Sequence, residues 1–223
     1  IGKPKALQAE KKLHGVLKSY ATELTADTVE LLKCDLIVDG TDNMETRFLI
    51  NAVAKEQGIP WVFQAVQQDR GMVATFMPEG PCLQCFIKQP VNTTCQGIEP
   101  PIVSTIGSLA TQHVLQAMRG VPYEGLFSFN NTSLLSTHAT IKQRSSCPVC
   151  NGNYQYSCDH QPIKLCGKNL WQAYVDKKGR SAYTKGALRG IPYTLFPNGR
   201  ILVHAKGKQE VLHFLKEFSD SFK

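Results

Sequence analysis

The fold is decided by one short stretch of the chain, Ile37-Val38-Asp39-Gly40-Thr41-Asp42-Asn43. Its apolar beginning is typical of a short buried strand over 35–39, and its polar end places carboxylates where that strand stops. Open α/β sheets bind their ligands at the carboxyl edge of the strands. The stretch therefore predicts a strand that ends at a nucleotide or metal site.

The patterns around this stretch alternate between helix and strand at first and then run from strand to strand. Helices are predicted at 4–13, 25–32, 43–58 and 103–119, and strands at 15–23, 35–39, 61–66, 72–77, 125–129 and 134–142. Alternation gives parallel strands, and adjacent strands give antiparallel ones. We therefore expect an α/β fold with a mixed sheet that is parallel first and antiparallel later.

Four cysteines stand in two C-x-x-C pairs, Cys82 with Cys85 and Cys147 with Cys150. Four thiolates complete a tetrahedral structural zinc site, so the pairs predict bound Zn²⁺. The alternative is a pair of thioredoxin-type redox motifs. A redox C-x-x-C motif should open a helix, whereas Cys82 follows a predicted turn at 79–81, and this favours the metal. Three other cysteines, Cys34, Cys158 and Cys166, are interpreted as packing residues.

Charge divides the chain near residue 150. Residues 1–150 hold 13 Lys/Arg and 13 Asp/Glu, whereas residues 151–223 hold 12 and 5, so the second part carries the whole net charge of +7. Its predicted strands at 163–166, 193–196 and 200–204 and its final amphipathic helix indicate a small basic α+β domain over 152–223. Such a surface suits an acidic protein, a phosphate backbone or plain solvation, and all three remain open.

No secretory signal or membrane span is visible in the sequence, and hydrophobic content of 42% with charged content of 19% is ordinary for a globular protein. Paired thiols without a secretory signal favour a reducing cytoplasm. The first residue is Ile1, so we expect further sequence upstream.

Five motifs occur in an order that resembles a known family. They are Gly-Lys-Pro-Lys at 2–5, Val-Asp-Gly-Thr-Asp-Asn-x-x-x-Arg at 38–47, Pro-Cys-Leu-Gln-Cys at 81–85, Ile-Gly-Ser-Leu at 106–109 and Cys-Pro-Val-Cys at 147–150. In this order they are similar to the ubiquitin-activating enzyme superfamily, in its bacterial ThiF/MoeB-type branch. The resemblance covers residues 1–151 and implies a Rossmann-like adenylation domain, here without its N-terminal part.

This resemblance implies an adenylyltransferase that uses ATP and Mg²⁺. Its substrate would be the C-terminal glycine of a ubiquitin-like sulfur carrier ending in Gly-Gly. The enzyme would be a homodimer with no membrane partner, and the resemblance favours a protein partner over a nucleic acid. By matching motifs, Lys5 would meet the phosphates and Asp42 would hold Mg²⁺, the alternative for each being an ordinary helix-start residue. Asn43 would either contact the nucleotide or cap the following helix. Cys95 would form a covalent intermediate with the carrier, or else be a bystander thiol.

One departure from the family pattern concerns the phosphate-binding loop. The glycine-rich loop G-x-G-G-L-G, which the family places upstream of Lys5, does not occur in this sequence. The alternative function is therefore a zinc-stabilised scaffold that binds a ubiquitin-like partner without catalysis. A nicotinamide-linked oxidoreductase is a weaker third reading, since the chain offers no dinucleotide fingerprint.

Overall fold

The computed structural model describes residues 4–14, 16–88, 97–156, 162–165, 169–175, 184–196 and 199–221. Within these ranges the strands form two five-stranded sheets. The first sheet contains β1 (Ile37–Val38), β2 (Trp61–Gln67), β3 (Arg70–Phe76), β4 (Leu126–Asn130) and β5 (Leu135–Ala139), in this order. The second contains β6 (Ile163–Lys164), β7 (Leu170–Tyr174), β8 (Thr184–Leu188), β9 (Ile191–Leu195) and β10 (Arg200–His204), in the order β6-β7-β10-β9-β8.

The first sheet is mixed, as predicted. Strand β1 pairs with β2 in parallel, and each later neighbour is antiparallel. Its helices are α1 (Lys5–Lys12), α2 (Met44–Gln57), α3 (Leu83–Phe86) and α4 (Pro100–Met118), with short 3₁₀ helices at Ala26–Leu32 and Val149–Asn151. Helix α4 begins three residues earlier than expected, because prolines fit the first turn of a helix, where no backbone N–H is required.

Helices α2 and α4 contribute to two separate clusters of the core. Side chains alternate between the faces of a strand, so Trp61 and Phe63 join the cluster that contains Ile50 of α2, whereas Val62 joins the cluster that contains Ile106 of α4. Glycine at position 71 permits the close approach of α4, because a Cβ there would lie 2.2 Å from Ile106 Cγ1. The α/β fold class is confirmed.

The second sheet is antiparallel throughout. Helix α5 (Lys208–Asp220) contributes Val211, Phe214 and Phe218 to an apolar cluster drawn entirely from residues of this second part. The α+β character expected for this part is therefore present. Tyr174 of β7 also meets the first part of the chain: burial and a hydrogen bond with Glu23 both raise the pKa of its phenol.

Several local predictions were wrong. No strand forms at 15–23 among its described residues, where Val16 is 87% exposed, because a strand requires a partner for its backbone groups. Strand β1 is only half buried, since Val38 is 51% exposed. Strands β7 and β8 and helix α3 were not predicted. Cys34 is exposed and so is not a packing residue, while Cys158 and Cys166 lie outside the described residues.

Candidate active site and metal centre

The loop that follows β1 is organised around Asp39, which is almost completely buried. One carboxylate oxygen accepts hydrogen bonds from the backbone N–H of Thr41 at 2.8 Å and from its hydroxyl at 2.7 Å. Burial raises the pKa of Asp39, while Thr41 and the nearby Arg47 act in the opposite direction. Asp39 thus fixes the turn immediately before Asp42, a structural role that agrees with its predicted place at the strand end.

Arg47 of α2 completes this network from the other side. Its Nε lies 3.2 Å from the Asp39 carboxylate, and one terminal nitrogen donates to the carbonyls of Thr41 at 2.6 Å and Gln64 at 3.1 Å. The guanidinium also lies over the ring of Phe63, 5.3 Å from its centre. Arg47, the last residue of the 38–47 motif, therefore forms an ion pair and holds the loop against both β2 and α2.

Asp42 and Asn43 occupy the end of this fixed loop and have different environments. Asn43 caps α2, because its Oδ1 accepts the backbone N–H of Thr46 at 2.8 Å. Asp42 is exposed and forms no hydrogen bond or ion pair with any residue that the structure describes. Its carboxylate is therefore not used as the helix cap, which was the alternative to a metal-binding role, and is open to a ligand.

Lys5 and Cys95 are the other residues predicted for the nucleotide and the carrier, and of these the structure describes only Lys5. Lys5 is the exposed first residue of α1, and within the described ranges no hydrogen bond or ion pair connects it to Asp42 or Asn43. Cys95 lies outside the described residues.

The four paired cysteines converge in one cluster, as predicted. Cys82 Sγ lies 3.6 Å from Cys147 Sγ, and Cys85 Sγ lies 3.5 Å from Cys150 Sγ. All four sulfurs lie within 4.8 Å of one another. A tetrahedral ion with bonds of about 2.3 Å requires sulfurs roughly 3.8 Å apart, so these residues fit zinc. Each of these two contacts joins a cysteine of the first pair to a cysteine of the second. Two separate redox motifs would instead bring together the cysteines within each pair.

Local hydrogen bonds prepare at least one of these thiols for a metal. Burial raises the pKa of Cys85, but hydrogen bonds with the backbone of Arg144 and Cys82 and with the thiols of Cys150 and Cys147 together outweigh it and lower this pKa to about 7. Burial and the neighbouring thiols raise the pKa of Cys150. Metal binding requires thiolates, so such a cluster releases protons as it loads.

The helix argument against a redox motif was wrong at Cys82. This residue is the N-cap of α3, so the first C-x-x-C pair does open a helix, although one of four residues only. The convergence of four sulfurs now carries the metal assignment.

Two polar residues that support the cluster were missed in the sequence. Asn51 Oδ1 accepts the backbone N–H of Leu83 at 2.8 Å, and Lys55 Nζ donates to the carbonyls of Pro78 and Gly80. The available signal was their spacing: Arg47, Asn51 and Lys55 repeat every four residues, and Asn51 interrupts the apolar run 48–54.

Comparison with known proteins agrees with this fold and these motifs. The ThiF family model matches residues 1–149. The chain is 31% identical to the sulfur carrier protein adenylyltransferase of Thermus thermophilus over 172 residues, which are 67% of this chain and 64% of that protein. It is 27% identical to the sulfur carrier protein ThiS adenylyltransferase of Bacillus subtilis over 240 residues, 90% of this chain and 71% of that protein.

Among solved structures, E. coli MccB in complex with ATP shares the fold. The TM-score is 0.56 at 13% identity, over 67% of this chain and 51% of that one. The chain thus spans between about half and 71% of the length of these three proteins. The family match covers residues 1–149, close to the range on which the motifs lie, and it confirms the resemblance found in the sequence. The chain belongs to the ThiF family.

Proposed function

We propose that this chain is part of an adenylyltransferase that activates the C-terminal glycine of a ubiquitin-like sulfur carrier. The observation that carries the proposal is the exposed Asp42 carboxylate on a rigid loop at the carboxyl end of a parallel strand. The names of the Thermus and Bacillus relatives support the same reaction. In it, a carrier carboxylate oxygen bonds to the α-phosphorus of ATP and pyrophosphate leaves.

Asp42 is proposed to hold Mg²⁺, which would neutralise phosphate charge. Magnesium prefers oxygen ligands and is commonly held by one or two carboxylates together with substrate phosphates, so a single free carboxylate fits. Asp39 and Arg47 keep the Asp42 backbone in place without using its side chain. Such preorganisation suits phosphoryl chemistry, in which the protein mainly positions groups and stabilises charge.

Three further residues receive roles by their match to the family motifs. Lys5 would meet the phosphates, and Asn43 would contact the nucleotide through its Nδ2 while its Oδ1 caps α2. Cys95 would form a thioester or an acyl disulfide with the activated carrier. These roles remain proposals.

The cysteine cluster is proposed to bind one structural Zn²⁺. All four positions are occupied by cysteine, which leaves no open ligand position for catalysis. The ion would tie the segment after β3 to the segment after β5. Because the ligands must stay reduced, we also propose a cytoplasmic location.

Two proposals concern organisation. Residues 1–151 would form the adenylation domain and residues 152–223 a separate small basic domain, which is supported by the independent sheets and core clusters. The adenylation domain would form a homodimer through α4, whose Val103, Leu115 and Met118 are exposed. Light scattering at micromolar concentration tests the dimer.

The decisive experiment compares two acids at opposite ends of β1. In the intact protein with purified sulfur carrier, Asp42→Ala should reduce carrier-dependent pyrophosphate–ATP exchange by about 10²-fold or more, as expected when transition-state charge loses its metal. Asp35→Ala is the matched control, because this exposed acid precedes the strand. It should retain exchange, and both variants should keep their zinc and their helical circular dichroism.

Two outcomes would contradict the proposal. Near-normal exchange in Asp42→Ala would remove the metal role from this residue. Carrier binding without any exchange in the wild-type protein would instead support the non-catalytic scaffold.

A further inference from the structure

Helix α2 carries three polar side chains at four-residue spacing, which places Arg47, Asn51 and Lys55 on one face. Arg47 binds the loop after β1, and Lys55 binds the turn that precedes the first cysteine pair. Asn51 lies between them. The same helix also packs against α3 and against the 3₁₀ helix Val149–Asn151, the segments that carry cysteines of both pairs.

Asn51 is 1% exposed, and the two ends of its side chain differ in their bonding. Its Oδ1 accepts the N–H of Leu83 at 2.8 Å, immediately after Cys82. Its Nδ2 is buried without a hydrogen-bond partner of ordinary geometry among the described residues. The Cys82 sulfur is the acceptor that this placement offers, because the Oδ1 bond holds Asn51 against the residue that follows Cys82, and Asn51 and Cys82 line the same small cavity.

We propose that Asn51 is a positioning residue of the cysteine cluster, whose Nδ2–H donates a hydrogen bond to Cys82 Sγ once that sulfur is a metal-bound thiolate. The inference rests on the proposed zinc site. A neutral thiol accepts hydrogen bonds weakly, whereas an anionic acceptor makes a shorter and stronger bond. Metal binding converts the thiol to a thiolate, and so supplies the partner that a buried amide requires.

A purely structural role is the competing explanation. Asn51 could serve only to hold the Leu83 N–H at the start of α3, without any contact to the metal-bound sulfur. The two explanations differ in which atom matters, since the structural role uses Oδ1 and the proposed role uses Nδ2 as well. Partners of metal ligands typically change metal affinity by 10–100-fold when removed, which makes the difference measurable.

The first experiment measures the rate of zinc transfer from the protein to a chromogenic chelator. Asn51→Leu removes both interactions, and Asn51→Asp at pH 8 keeps the acceptor for Leu83 but has no donor when ionised. Both should release zinc about tenfold faster than wild type. In the Co²⁺-substituted protein, the sulfur-to-metal charge-transfer absorption should shift to lower energy, because a thiolate without its hydrogen bond gives up electron density more readily.

The matched control is Lys55→Met, one turn further along the same face. It removes the bonds to the carbonyls of Pro78 and Gly80, which precede the cysteine pair, and among the described residues Lys55 forms no hydrogen bond with a cysteine sulfur. It should leave the Co²⁺ absorption unchanged. An Asn51→Asp protein with wild-type zinc release and wild-type absorption would overturn the proposal and leave the structural role.

A second measurement needs no variant, and it decides the matter if the Asn51 variants do not fold. In wild-type protein loaded with a spin-active cadmium isotope, the Asn51 side-chain amide proton should show scalar coupling to the metal through the sulfur. The backbone N–H of Arg144, which donates to Cys85 Sγ at 3.4 Å, is the internal positive control. Coupling at Arg144 without coupling at Asn51 would overturn the inference. A wild-type protein that binds neither zinc nor cadmium would overturn the metal site itself.

Discussion

The two sheets of this chain differ most in what they bury. The first buries four polar residues among those described, Asp39, Asn51, Thr75 and His113. The cluster beneath the second sheet, which includes Trp171, Ile201, Val211, Phe214 and Phe218, is made of hydrophobic residues. A buried polar group costs stability unless it is partnered. The first part of the chain therefore carries a cost in stability that the apolar cluster of the second part does not, and the candidate site lies in this first part.

The buried polar groups of the first sheet meet this cost in different ways. Asp39 is paired with Arg47, and Thr75 Oγ1 lies 2.9 Å from His113 Nδ1. These two pairs are complete within the chain. Asn51 is partnered at its oxygen only. The incomplete group is the one beside the cysteine cluster, where a bound metal would change the acceptor.

The largest expected effect follows from removing one ligand of that cluster. Cys147→Ser should reduce bound zinc below half an equivalent and lower the free energy of unfolding of the first part by on the order of 4 kcal/mol. Structural zinc contributes roughly 10–16 kcal/mol in small zinc-binding peptides, so a partial loss of this size is reasonable. Metal analysis and chemical denaturation measure the two quantities.

Cys34→Ser is the matched control, because Cys34 is exposed and lies apart from the cluster. It should change neither zinc content nor stability. If wild-type protein purified without chelator holds less than half an equivalent of zinc, the proposal of a zinc site is wrong. Cys147→Ser then says nothing about metal binding.

The sequence predicts well those features whose signals are local. Helix α2 was predicted with both ends because its signals are local: Asn43 caps the first turn, and Gly58 adopts a left-handed conformation with φ of +67°. The cysteine cluster was predicted because the ligand spacing is visible within each pair. In both cases the deciding residues lie within a few positions of one another.

The missed features depend on distant partners. Asn51 acquires its role from Leu83, which lies 32 residues away. Strand β8 reads Thr-Lys-Gly-Ala-Leu, which contains a single β-branched residue and no aromatic, so only its pairing with β9 makes it a strand. The stretch 15–23 shows the reverse error, because it contains the strand-favouring residues Val16, Tyr20 and Thr22 but has no partner strand among the described residues.

The second prediction asks whether the two cores are also independent in stability. Phe214→Ala in the second core and Phe63→Ala in the first each remove a fully buried aromatic side chain. Each should cost about 3–5 kcal/mol. If the two parts unfold separately, Phe214→Ala should lower one thermal transition and leave zinc content and carrier-dependent exchange unchanged at moderate temperature. Phe63→Ala should lower the other transition.

Differential scanning calorimetry and zinc analysis of both variants test this division. A single transition that both substitutions lower equally would show that the two parts unfold as one unit. The contact of Tyr174 with Glu23 is then the first place to examine, because it links β7 to the segment before β1.

The smallest expected effect concerns the charge of the second part. Its excess of positive residues could steer an acidic carrier, and steering acts on the association rate and is screened over about 8–10 Å at physiological salt. Replacing the exposed lysines Lys206, Lys208 and Lys216 by glutamine should slow carrier association about two- to threefold at low salt and have little effect at high salt. Stopped-flow measurements at several ionic strengths give both quantities.

The control removes the same charge from the first part, at the exposed residues Lys88, Arg119 and Lys142. If the second part steers the carrier, this control should slow association less, although the net charge of both variants is identical. If both variants have the same carrier association rate at every ionic strength, the basic residues of the second part form a plain solvated surface. A nucleic-acid role would instead appear as binding of RNA that weakens steeply with salt, because each neutralised phosphate releases counterions. Matched variants are needed because a change in net charge alone alters the association rate. Only a difference in rate between the two triple-substitution variants assigns the effect to one part of the chain.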